Sequence, residues 1–348
     1  MPDLSLRFHK DVLVLSSSAA SAFERLGIDI ARDVELTILL EPETVEEVYK
    51  LECVAGAQCL VAPTWGITPA RLAHAGMQDR AADLAKIALS CVRTLVPQHL
   101  LVEIGPCGLP LDPSSKASLN ENRDQYARAA RLFAHEEFDA FLLGGFVSCD
   151  DLKCALMGVR KVSDAPVMAS VVLDAEGFLS DGRSTWEDAL AVMAEYGATS
   201  AGFETEAGQE AACALARRGV AVSSLPLMAT LRVRERSARQ QGPTEENPYY
   251  CADAMMAAAD ALRRCGVQFL RATGDATPAY TGALVATTLG SDVLLLDRAV
   301  DLKRDAEEGK AQAEAALPNK DADLEAFIAA AKARVDAALA GNVALFED

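Results

Sequence analysis

The feature that most constrains the fold is a rhythm in hydrophobicity. Short apolar runs alternate with longer amphipathic, alanine-rich stretches, and the alternation repeats eight times. The apolar runs are residues 11–17 (DVLVLSS), 59–64, 99–106, 140–146, 166–173, 200–205, 220–227 and 267–273. Each holds six to eight residues rich in Val, Leu or Ile, without strict alternation. Strands covered on both faces read this way, because neither face meets water.

Helical spacing fills the gaps. Residues 121–137 bring Tyr126, Ala129, Ala130 and Phe133 onto one face, with charge on the other. Residues 184–196 open with STWED, where Ser184 or Thr185 can cap and the acids suit a helix N-terminus. Stretches 206–218, 251–265 and 277–290 continue the series. Gly197, Gly219 and Gly266 follow helices, as left-handed caps would.

Eight strands alternating with helices over residues 1–300 predict an α/β protein, a (β/α)8 TIM barrel. A doubly wound open sheet is the alternative, and the count of eight decides against it. The polar segment 228–250 reads as a loop after strand seven, forming a lid or rim at the C-terminal face. Residues 301–348 form a C-terminal helical tail divided at Pro318-Asn319. Its second half places Leu324, Phe327, Ile328, Ala331, Val335 and Leu339 on one stripe, suited to packing on the barrel, a protein partner or a second copy in a homo-oligomer.

The chain has 348 residues, 51% of them hydrophobic, enough for a large core. Its net charge of −18 and pI near 4.7 argue against nucleic acid or an anionic membrane as partner. Nine cysteines occur singly without a CxxC pair, and MPDLSLRFHKDVLVL does not read as a secretory leader. A soluble protein of the reducing cytoplasm is expected.

In a barrel, chemistry sits where strands end. Those positions hold Ser16 to Ser18, Thr64-Trp65, Glu103 to Cys107, Gly144-Gly145, Glu204-Thr205, Pro226 and Thr273 to Asp275. The order of segments resembles the homocysteine S-methyltransferase family over about residues 11–290. The similarity lies in EPETVEEVYKLECVAGAQCLVAPTWGITPARLAHAG (41–76), the Gly-Pro-x-Gly turn in LVEIGPCG (101–108) and GVQFLRATGDATPAY (266–280). The resemblance implies a barrel whose zinc ion, held by three thiolates, activates a substrate thiol for methyl transfer.

Carried over by position, the family's strand-six cysteine falls on Thr205 and its strand-eight pair on Thr273-Gly274. Its substrate-binding acids fall on Ser16 and Gly144, while Thr64 is kept. Neither zinc nor another cofactor is therefore expected.

Two replacements remain open. Cys107 and Cys149, near the rim, form a displaced soft-metal site or are apolar fillers. Glu103, Glu204 and Asp275 bind a hard cation, hold an ammonium group, serve as acid and base, bond backbone amides of neighbouring loops, or are paired by Arg271 or another arginine. The run RVRERSARQ (232–240) grips an anionic group or is a solvated loop. The four histidines, 9, 74, 99 and 135, show no ligand spacing. Three functions follow: a metal-free group-transfer enzyme holding a small molecule with Glu204, Asp275 and Thr64, a ligand-binding barrel without turnover, or an inactive subunit docking a corrinoid-carrying partner through its tail.

Overall fold

A computed structural model describes residues 4–30, 33–236 and 240–288. Among them, eight parallel strands form: β1 Leu13–Val14, β2 Cys59–Ala62, β3 His99–Ile104, β4 Ala140–Phe146, β5 Val167–Val172, β6 Ser200–Thr205, β7 Leu227–Val233 and β8 Val267–Gly274. From β2 to β8 each strand pairs with its successor, and β8 pairs with β1. A bridge between Leu15 and Cys59 joins β1 to β2, so the sheet closes into a (β/α)8 barrel, not an open doubly wound sheet. β1 is short, and side chains supply the missing ladder bonds: Val14 N donates to Gln58 Oε1 at 2.8 Å and Val61 N to Ser16 Oγ at 3.0 Å.

The helices are α1 Ala20–Arg25, α2 Val34–Leu40, α3 Pro42–Val54, α4 Pro69–His74, α5 Ala81–Arg93, α6 Lys116–Arg131, α7 Cys149–Arg160, α8 Trp186–Glu195, α9 Gln209–Val222, α10 Ala252–Arg264 and α11 Pro278–Thr288. Thr185 rather than Ser184 caps α8: its hydroxyl accepts from Asp188 N while the Asp188 carboxylate accepts from Thr185 N. No helix among the described residues is long and apolar enough to cross a membrane.

Two apolar clusters follow from the two-residue period of strands. Alternate strand residues such as Val14, Leu60 and Leu100 pack outward under the helices. The others, including Leu15, Val61, Leu101, Leu142, Met168, Met228 and Phe269, fill the barrel interior, with Leu4 and Phe8 packed onto them. Gly202 on β6 makes room: a Cβ there would come within 2.8 Å of the Met228 terminal methyl.

Strand seven lies later than its apolar run suggests. Residues 220–222 continue α9, and β7 begins at Leu227. Gly219 is therefore inside a helix and not a left-handed cap. Its role is close packing, because a Cβ there would sit 3.2 Å from both the Trp186 indole and Leu227. Pro226 lies at the N-terminal end of β7, away from the catalytic face. The supposed loop 228–250 begins with six strand residues, Met228 to Val233. In its described remainder, Tyr249 Oη donates to Ala207 O at 2.6 Å, and Arg236 Nη2 donates to Tyr280 Oη at 3.0 Å. The tail proposed for 301–348 lies outside the described residues.

Candidate functional site

Two residues beyond the apolar interior most strands turn polar, with Glu103, Ser170, Glu204, Thr230 and Arg271, and the barrel opens into a mouth cavity of about 2270 Å³. At its base Arg271 on β8 reaches across to Glu103 on β3. Nη1 lies 2.5 Å from Oε1 and Nη2 3.0 Å from Oε2, a two-point contact, while Nε donates to Ser16 O at 3.2 Å. The side chains are only 6% and 13% exposed. Burial alone would lower the guanidinium pKa, but the charge and hydrogen bonds of Glu103 outweigh it and raise it. Gly144 on β4 permits this pair, since a Cβ there would stand 2.9 Å from Glu103 Oε1.

The wall formed by β6 to β8 carries a second charged group. Glu204 accepts from Thr273 Oγ1 at 3.0 Å and from Arg232 Nη1 at 3.2 Å. Arg232 also meets Glu206 at 3.2 Å, and Arg234 meets it at 2.5 Å. Asp275 pairs with Arg25 on α1 at 2.5 Å. The three carboxylates suggested by sequence thus all line the mouth, each matched to an arginine. Arg232 and Arg234 spend their charge on these acids.

The wall formed by β2 and β3 is aromatic and cationic. Trp65 lies against Gly105, where any Cβ would collide with the indole, and the Arg71 guanidinium stands 4.2 Å from the ring centroid. Cys107 also lines this wall, its amide donating to Tyr126 Oη at 2.9 Å and its thiol to Asn122 Oδ1 at 3.1 Å. Burial pushes the Cys107 thiol pKa up.

Ser16, Thr64 and Thr205 are buried but lie outside the cavity lining. Ser16 joins β1 to β2. Thr64 joins β2 to β3, donating to Glu103 O at 2.8 Å and accepting from Glu103 N at 2.9 Å. Thr205 accepts from Ala207 N at 3.1 Å, holding the turn after β6. Gly144, Glu103, Glu204, Thr273 and Asp275 do line the mouth.

These positions do not fit a zinc–trithiolate centre. Position 205 faces away from the cavity, and Thr273 spends its hydroxyl on Glu204. Gly274 adopts φ +69°, and a Cβ there would collide with Val233 O, so position 274 has no room for a thiol side chain. Cys107 is the only cysteine lining the mouth, and Cys149, at the start of α7, does not reach it. Burial raises the Cys149 thiol too. Among the described residues, no three His, Cys, Asp or Glu side chains gather as a metal site.

Strand parity could have found several mouth residues that the sequence reading passed over. Ser170 follows Met168 by two, and Thr230 and Arg232 follow Met228 by two and four. The late start of β7 hid the latter two. Arg71 had no such signal, because its placement beside Trp65, which the strand-end reading did include, depends on the β2–α4 loop.

Among solved structures, the chain is similar to the metallated form of the homocysteine methyltransferase MmuM from Escherichia coli. That match has 19% identity and a TM-score of 0.66 over 80% of this chain and 96% of the other. The apo form of that enzyme gives 17% identity and a TM-score of 0.60 over the same shares. The carboxyl transferase domain of Rhizobium etli pyruvate carboxylase is a more distant match, with 12% identity and a TM-score of 0.50 over 85% of this chain and 49% of the other. No curated protein matches the chain. The model of the homocysteine S-methyltransferase family matches residues 14–217. With more than half its length matched, in the barrel built above, the chain belongs to the homocysteine S-methyltransferase family.

Proposed function

We propose that this member of the family binds a small polar molecule in its barrel mouth and works there without thiolate-held zinc. The observation that supports this reading is the backbone at Gly274, left-handed and with Val233 O standing where a Cβ would go, at a position that the resemblance aligns with one of the family's thiolates. Group transfer at such a mouth would rest on Glu204, positioned by Thr273 and Arg232, and on the charged rim around Asp275. The open cavity favours a ligand over a purely docking role, because a mouth closed by its own side chains would hold nothing. Nine free cysteines support a reducing, cytoplasmic setting.

The test is metal content of the purified protein by plasma mass spectrometry, beside a Cys107→Ala, Cys149→Ala double variant. Zinc far below stoichiometric in both is expected. Near-stoichiometric zinc in the wild type, whether or not the variant loses it, overturns the reading.

A further inference from the structure

The charges of the mouth sort by whether they are met. Glu103, Glu204, Glu206 and Asp275 each hold an arginine. Among the described residues two mouth arginines hold no carboxylate: Arg236, which donates to Tyr280 Oη at 3.0 Å and lies over Tyr250, and Arg71. Arg71 Nε donates to Pro106 O at 2.8 Å and its face rests on Trp65. Neither Nη1 nor Nη2 has a hydrogen-bond partner among the described residues, although the side chain lines the cavity. Acidic side chains outnumber basic ones 51 to 33 in this chain, so an arginine left unpaired at a half-buried position is conspicuous.

The surroundings hold the guanidinium in place. The indole that carries it is packed against the backbone of Gly105, and Pro106 O fixes the Nε edge. The outer edge of the fork, with its parallel donors, is the part left over, and a planar oxyanion matches it. Glu35 on α2 also lines this side, without an ion pair among the described residues and close enough to act on Arg71 through its charge. A dianion would be repelled by Glu35 more strongly than a monoanion, which favours a carboxylate over a phosphate.

We propose that Arg71, stacked on Trp65, is the receptor for the carboxylate of the small molecule held in the barrel mouth. This rests on the reading of the mouth as a ligand site but not on the absence of zinc.

The test is tryptophan fluorescence titrated with monocarboxylates from acetate to hexanoate, and separately with inorganic phosphate, at constant ionic strength. Trp65 reports the site, since Trp186 is fully buried under α9. A saturable response to a monocarboxylate is expected, weakened about tenfold or more in Arg71→Gln and unchanged in Arg80→Gln, a surface control. If Arg71→Gln fails to fold, Arg71→Lys takes its place, and the same loss is expected because an ammonium cannot present the fork. No saturable response to any carboxylate, a response to phosphate alone, or equal affinity in the Arg71 variant overturns the proposal. Zinc with carboxylate binding at Arg71 would sink only the metal-free reading. A zinc-free protein deaf to carboxylates would sink only this one.

Discussion

Arg271 and Glu103 stand 168 residues apart in sequence and meet across the base of the barrel mouth in a two-point contact of 2.5 and 3.0 Å. The pair places a cation and an anion where water is largely excluded, and each depends on the other for solvation. Gly144 is the third participant, because its missing Cβ is the space that the Glu103 carboxylate occupies.

Breaking this pair from one side is expected to cost about 3–5 kcal/mol, because the surviving charge stays buried. Glu103→Ala and Arg271→Met should each lower the urea midpoint steeply, while Glu103→Leu with Arg271→Met should recover much of the loss. Gly144→Ala should cost about 1–3 kcal/mol by overpacking, and less in a Glu103→Ala background. A Gly144→Ala penalty unchanged by removal of Glu103 would disprove the contact.

Glu52 is a buried carboxylate with no ion-pair partner among the described residues. It accepts from Ser17 N at 3.1 Å, from Thr281 Oγ1 at 2.7 Å and from the Ser17 hydroxyl, tying α3 to α11 and to the end of β1. Glu52→Ala should destabilise by about 3 kcal/mol, because it strands several donors together. Chemical denaturation monitored by circular dichroism measures it, and a cost under about 1 kcal/mol would mean that water replaces the carboxylate.

Restoring thiols at the strand-eight end should fail unequally. Thr273→Cys is expected to fold, losing only the hydroxyl bond to Glu204. Gly274→Cys should be destabilised by roughly 3 kcal/mol or more, from the positive φ combined with collision against Val233 O. Thermal midpoints of the two variants, compared side by side, decide this.

Buried thiols should make the fold sensitive to alkali. Burial, reinforced by nearby carboxylates, raises Cys91 and Cys154 from 9.0 to about 11. Burial and the neighbouring Cys265 raise Cys213 to about 12. Above the ordinary thiol pKa the unfolded chain releases these protons and the folded chain keeps them. The unfolded state then binds fewer protons, so stability falls as pH rises. Urea midpoints should drop between pH 9 and pH 11, and a Cys91→Ala, Cys154→Ala variant should lose part of that slope. An identical slope in the variant would rule these thiols out.

What the sequence determined by itself was the barrel: eight apolar runs at parallel-strand length, separated by helical periodicity, leave few alternatives. It also fixed which residues stand at the strand ends, Thr205, Thr273 and Gly274 among them, since residue identity needs no coordinates. The tertiary structure decided the rest. Strand seven slipped to Leu227–Val233 because Val220 to Val222 serve a helix as readily as a strand, and only packing against Trp186 and the barrel settles which. The partners of Glu103, Glu204 and Asp275 lie 168, 28 and 250 residues away, beyond any local pattern. Hydrophobic periodicity is a local property of the chain, so it could be read directly. Charge pairing joins residues that only barrel closure brings together, and that closure turned three candidate acids into three arginine pairs and left Arg71 without one.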